Sequence, residues 1–287
     1  VKYYLSTVFL RSRDVLEVAA AADEIGFHGL AIADHVVNIE QISSRYPYTG
    51  DGCRRWQPFT EWPDPWVMIG ALAHVAPRLR FATTVYIAAM RNPYVAAKAI
   101  GTAALLSGGR VELGIGIGWC EEEFAVMGQR FDRRGARTDE MLKLFRALWQ
   151  PGWTEFEGEF YRTPKLEMEP KPPPIPFLVG GETPAALRRA ASNDGWVGTF
   201  GSTSDRAIEV ARHLRELRAG QGLSMDGFTV LTPLVDARTQ GDYERAEAAG
   251  VTHAIVRPWL HYGRGGTSGA EIIDAMRRFS DDIDLTG

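Results

Sequence analysis

Only two cysteines, Cys53 and Cys120, occur in 287 residues, far apart and without the spacing of metal ligands. A disulfide framework and a structural zinc are therefore not expected, no metal site is predicted, and the chain suits a reducing compartment. Long apolar runs are scarce too. Nothing approaches the length of a membrane span, and Val1 to Arg13 holds no apolar stretch or cleavage pattern of a leader. There is no basic excess: 32 Lys and Arg stand against 36 Asp and Glu, a net charge of -4 that gives no electrostatic reason to expect a nucleic-acid partner. Nucleotide fingerprints are missing as well. From Gly114 the dinucleotide pattern needs glycine at the first, third and sixth places, but the sixth is Trp119, and no Lys-Ser or Lys-Thr follows as in a P-loop. What remains is a cytoplasmic enzyme or binding protein with a small-molecule partner.

Hydrophobic residues at 45% and charged residues at 24% are ordinary globular values, enough to bury a sizeable core. Eight strand-like runs recur, near Tyr3 to Phe9, Gly29 to Asp34, Arg80 to Ile87, Val111 to Ile117, Pro176 to Gly180, Trp196 to Phe200, Phe228 to Val235 and His253 to Arg257. Amphipathic helices are predicted over Asp14 to Ile25, Tyr94 to Leu106, Gly135 to Trp149, Pro184 to Asn193, Asp205 to Ala219, Asp242 to Ala249 and Ala270 to Phe279. Alternation with eight repeats predicts a single α/β domain over 1–287, a (β/α)8 TIM barrel, with a doubly wound open sheet as the competing fold. Two connections exceed what a plain barrel needs, so insertions are expected after strands 2 and 4. Residues 36–65 form a long loop rich in Tyr, Trp and Pro, a candidate lid. Residues 151–176 hold Glu155 to Tyr161, which reads as a hairpin around Glu157-Gly158, and then a proline-rich connector.

The most informative stretch is Gly108 to Phe124, where a buried strand runs into glycines at 114, 116 and 118 and then an acidic helix start. Glycines there let a backbone pass close to a flat ligand. The run of carboxylates at Glu121, Glu122 and Glu123 suits a helix N-terminus, with most of its charge expected in solvent.

Taken together, Ala33 to Val37, Tyr46 to Tyr48, Arg91 to Pro93, Leu106 to Trp119, Glu122 to Phe124, Phe131 to Arg137 and Phe156 to Tyr161 resemble the luciferase-like monooxygenase superfamily, nearest its branch of coenzyme F420-dependent oxidoreductases. The likeness runs in order from about residue 3 to residue 200. It implies a flavin-shaped ligand across the C-terminal strand ends, either deazaflavin F420 for hydride transfer or FMN for oxygen chemistry, and a homodimer. A barrel that binds such a ligand without turnover is the third reading.

Under this resemblance His35 is the proton handler, and Asp34 orients it or binds the ring system; the alternative is a pair that caps backbone groups. Thr84-Val85 matches a bulge with a non-proline cis peptide behind the cofactor's central ring, against an ordinary buried strand. Gly116, Gly118 and Trp119 border the ring or tail, the indole offering a stacking face or simply closing the rim. Cys120 departs from the asparagine common there, and reads as an inert small residue. Trp119 stands where sugar-phosphate dehydrogenases of the branch carry an acid, so that chemistry is not carried over. Gly180 and Gly181 at a helix start, with Thr199 after the sixth strand, would hold a phosphate or form tight turns. Arg91 either places a cation near the ligand or begins a helix. Arg257, His261 and Arg264 are candidate partners for an anionic substrate or acidic tail. Trp56, Phe59, Trp62 and Trp66 suggest a lid over an apolar or ring-bearing substrate.

Overall fold

The structure is a computed structural model describing residues 1–263 and 268–286. Short apolar runs buried on both faces form the barrel strands, as parallel sheets require, and two partly exposed segments form a further pair of strands. In chain order these are β1 (Lys2–Ser6), β2 (Gly29–Ile32), β3 (Arg80–Thr83), β4 (Val111–Ile115), β5 (Thr154–Glu157), β6 (Arg162–Leu166), β7 (Phe177–Gly180), β8 (Gly195–Val197), β9 (Thr229–Pro233) and β10 (His253–Val256). Around them lie α1 (Ser12–Ile25), α2 (Pro65–Val75), α3 (Pro93–Leu106), α4 (Glu121–Val126), α5 (Arg134–Leu148), α6 (Pro184–Ala191), α7 (Ser204–Gly220), α8 (Gln240–Ala248), α9 (Pro258–His261) and α10 (Gly269–Asp282). The barrel closes in the order β1-β10-β9-β8-β7-β4-β3-β2, every neighbouring pair parallel. This is the (β/α)8 barrel that the eight runs predict. β5 and β6 lie outside it as an antiparallel hairpin between α5 and β7.

Tyr4, Ala31, Ala82, Leu178, Val197 and Leu231 fill the barrel's interior, small alanines beside larger neighbours. A larger shell of apolar residues packs strands against helices. At the N-terminal strand ends a polar plug closes the floor: Glu112 accepts from Tyr4 Oη at 2.7 Å and from Arg80 Nε at 2.8 Å, and the rings of His28 and His253 each lie 5.5 Å from that of Tyr4. The C-terminal ends are left to open into a cavity.

Helix starts follow local chemistry. Asp64 and Asn92 each accept two backbone N–H bonds at the head of α2 and α3, with proline in the first turn. The helix α2 is absent from the helices expected from the sequence. Its apolar residues run nearly all round, so no amphipathic period marks it. Trp66, expected beside the lid, belongs to α2 and is buried against Tyr86, with ring centroids 5.0 Å apart. No helix among the described residues is long and apolar enough to cross a membrane.

Candidate active site

Loops following β1, β2, β3, β4, β7 and β8 enclose a cavity of about 1090 Å³ at the C-terminal mouth. Asp34, His35, Thr84, Val85, Gly116, Gly118, Trp119, Cys120, Gly180, Gly181 and Thr199 all line it. Residues more than 150 positions apart thus converge on one concavity, where barrel enzymes keep their chemistry.

Just past β3 the Thr84-Val85 peptide is cis. Pairing resumes beyond this bulge, since Tyr86 N–H donates to Gly114 at 2.8 Å and Gly116 N–H donates to Tyr86 at 3.0 Å. Val85 is thereby pushed between two strand ends. A Cβ added at Gly116 would stand 2.5 Å from Val85 Cγ2, and one at Gly180 would stand 2.8 Å from Val85 Cγ1. Both glycines are therefore needed for the bulge's side chain, whereas the sequence suggested clearance for a flat ligand at Gly116 and a phosphate site or tight turn at Gly180. Gly118 has φ +78, a left-handed conformation that turns the chain toward α4. Its carbonyl accepts from Arg134 Nε at 2.9 Å, and that guanidinium lies 3.7 Å from the Phe131 ring centre.

Asp34 is fully engaged by protein groups. Arg91 grips it with two bonds of 2.7 Å, and Ile87 N–H adds a third at 3.0 Å. This buried pair ties the end of β2 to the turn before α3, which decides Arg91's role: its cation goes to Asp34 and over Tyr86 at 4.4 Å. His35 does not pair with Asp34. Its Nδ1 lies 3.1 Å from Glu123 Oε2, while Glu123 Oε1 accepts from Val36 N–H at 2.7 Å and Val37 N–H at 3.3 Å. Burial raises the Glu123 carboxyl's pKa, but His35 and those backbone donors outweigh it and hold the group below the ordinary carboxylate range. Glu123 contradicts the expectation of a solvated acidic run, being only 3% exposed. It shares the inward helical face of Cys120, Phe124 and Met127, a spacing that would have singled it out.

The same helix start clamps the long loop. Glu122 Oε1 accepts from Ser43 N–H, Ser43 Oγ and Ser44 N–H at 2.5, 2.8 and 3.1 Å, and Glu121 N–H donates to Ser44 Oγ at 3.0 Å. Above the cavity an aromatic cluster results. His35 lies 4.8 Å from Trp56 and 4.9 Å from Trp62, and Tyr46 lies 5.4 Å from Trp56 and 5.2 Å from Trp119. Phe59 takes no part, being 98% exposed.

At the opposite end, Thr199 Oγ1 donates to Glu182 Oε1 at 2.6 Å, and Glu182 also pairs with Arg206 at 2.8 Å. Glu182 and Arg206 line the cavity, but neither was a sequence candidate. Cys120 is buried and its thiol is pushed up to about 11, chiefly by burial, so it stays protonated and inert at neutral pH. His261 packs on Tyr262 and Phe279, outside the cavity lining. Arg257 lies over Phe200, and Arg264 falls outside the described residues.

Comparison with known proteins identifies the family and the fold. An uncharacterized protein of Mycobacterium tuberculosis is 39% identical over 260 residues, spanning 87% of this chain and 86% of the relative. An F420-dependent glucose-6-phosphate dehydrogenase of Amycolatopsis mediterranei is 31% identical over 207 residues, covering 70% of this chain and 57% of that protein. Among solved structures, an F420-dependent secondary alcohol dehydrogenase in complex with an F420-acetone adduct superposes with a TM-score of 0.77 at 17% identity over 100% of both chains. The oxygenating constituent of a Pseudomonas putida Baeyer-Villiger monooxygenase, in complex with FMN, gives 0.61 at 18% identity over 99% of this chain and 80% of the other. The luciferase-like monooxygenase family matches residues 5–275, and the chain belongs to that family.

Proposed function

We propose that this protein is an oxidoreductase that uses the deazaflavin coenzyme F420 for hydride transfer to or from a small organic substrate. The observation that carries this reading is the meeting, in one cavity, of Val85, packed against Gly116 and Gly180, with a His35 held by a buried carboxylate. Two further features suit a large ligand. The cavity exceeds the usual range of roughly 300–1,000 Å³ for small-molecule sites, and two residues that line it, Trp62 and Ser202, each carry a buried polar atom, Nε1 and Oγ, without a partner among the described residues. F420 supplies two-electron hydride chemistry when bound. Val85 would support its ring, and Gly180, Gly181 and Thr199 would border its phosphate-bearing part.

This chain's own groups do the rest. Glu123 accepts from His35 Nδ1–H, which leaves Nε2 as the atom that takes or gives a proton. The aromatic cluster excludes water from that proton's path and from the reacting carbon. The F420-dependent relative at 31% identity favours the deazaflavin over FMN, because the FMN-bound neighbour is related by fold alone.

Purified protein mixed separately with F420 and FMN, followed by absorbance and thermal unfolding, tests the reading. F420 is expected to bind and raise the unfolding temperature, as any ligand of the folded state does, and FMN is not. FMN binding coupled to oxygen consumption would replace this reading with a monooxygenase, and F420 binding with no turnover across alcohols, aldehydes and enones would leave a binding barrel. Replacing His35 with Ala should slow hydride transfer by roughly 10²- to 10⁴-fold while F420 still binds. Full turnover in that variant removes His35 from the mechanism.

A further inference from the structure

Arg257 directly follows β10, which lies between β1 and β9 in the barrel. Alternate residues of β10 face inward: His253 packs on Tyr4, and Ile255 packs against the interior cluster. The two-residue period carries Arg257 to the same side, at the mouth. On either side of this position, Val8 and Phe9 after β1, and Phe200 after β8, line the cavity. The Arg257 guanidinium lies 4.6 Å from the centre of the Phe200 ring.

Among the described residues, every other arginine that is not exposed has at least one acceptor, although Arg137 Nε is itself unpaired. Arg91 is gripped by Asp34, Arg80 by Glu112 and Arg189 by Asp139, while Arg110, Arg137 and Arg218 donate to backbone carbonyls. Among the described residues, Arg257 is the only partly buried arginine whose side chain has neither a hydrogen bond nor an ion pair. Removing a guanidinium from water without an acceptor is unfavourable, and one ring face returns only part of that cost. Arg257 is not itself part of the cavity lining, but it stands against Phe200, which is, and a cation left in this state is matched when a ligand brings the anion.

We propose that Arg257 recognises a carboxylate on the substrate, whose apolar or ring-bearing body lies among the rings of Tyr46, Trp56, Trp62 and Trp119. This rests on reading the cavity as a site for coenzyme and substrate together. A planar guanidinium meets a carboxylate with two parallel bonds, which an alcohol or amide cannot reproduce. The ring cluster sets the body's character, and Arg257 sets its charge.

Titration calorimetry with phenylacetate and its neutral counterpart phenylacetamide, with and without F420, tests this. The native protein should bind phenylacetate roughly 10- to 100-fold more tightly than the amide, as a charge-assisted pair implies. Arg257→Met should abolish that preference and leave amide binding unchanged, and Arg257→Lys should restore part of it. F420 affinity should be the same in all three proteins, which assigns the anion to the substrate rather than to the coenzyme's acidic tail. Equal affinities in the native protein, no measurable phenylacetate binding, a preference that survives Arg257→Met, or a tenfold or larger loss of F420 affinity in that variant would each overturn the proposal. If Arg257→Met does not fold, Arg257→Gln is read by the same criteria. Failure of F420 to bind the native protein would sink the coenzyme reading, while the phenylacetate preference stays measurable without it.

Discussion

Val85 is the residue through which the ends of the neighbouring strands β4 and β7 are fitted to one another. Because a β-branched side chain cannot swing away easily, a methyl group at Gly116 must displace either the bulge or β4. Gly116→Ala is expected to cost about 1–3 kcal/mol by overpacking, read as a lower denaturation midpoint, and Gly116→Ala with Val85→Ala should recover most of it. No recovery in the double variant would show that the glycine serves something other than Val85. Glu123 acts differently, through His35. Glu123→Gln should lower kcat by about 10- to 100-fold, comparable to loss of an outer-sphere partner, while F420 affinity holds and the pH profile of kcat moves; an unchanged profile would reduce Glu123 to a loop anchor. Asp34-His35 was legible in the sequence as a strand-end pair, but the two side chains part company in space. Asp34 turns to Arg91, and His35 turns to a carboxylate 88 positions away. Sequence adjacency reveals neither partner.

Among the elements, α4 matters more than its six residues suggest. Its first turn holds the long loop through Glu122 and Glu123, so His35 and the loop covering it share one anchor. Glu122→Ala should leave F420 binding to the barrel but hasten proteolytic cleavage within 36–64 several-fold, as a loop that opens more often is cut more often. Equal cleavage rates would show that the aromatic packing alone holds the loop. The turn between β3 and α3 depends on a buried ion pair instead. Arg91→Met leaves Asp34 uncompensated at 5% exposure, and a stability loss of about 3–5 kcal/mol follows from stranding such a charge, measurable by denaturant titration. The strands were readable as short, bounded apolar runs, and most helices from their amphipathic period. The helix α2 was not, because its apolar residues give the reading no contrast.

At the scale of the whole molecule, the two ends of the barrel carry different liabilities. Burial, with the charges of Lys2 and Arg80 adding to it, pushes His28 down to about 4 and His253 down to about 3, from 6.5. The folded state therefore refuses protons that the unfolded chain accepts. Stability is fully present above pH 6.5 and declines as pH falls toward 3, by at most about 2 kcal/mol per imidazole at pH 5. Urea midpoints measured from pH 7 to pH 5 should fall accordingly and fall less in His253→Gln; a flat series would mean that the floor rearranges to admit the charge. The sequence forecasts the barrel because closure needs only eight repeats, while the floor's charge arrangement and the mouth's pairings depend on which strand lies beside which. Three of the chain's eight tryptophans, Trp56, Trp62 and Trp119, border the mouth cavity. Occupation by a chromophore absorbing in the near ultraviolet would drain their emission by energy transfer, so the protein carries an intrinsic optical gauge of its own loading.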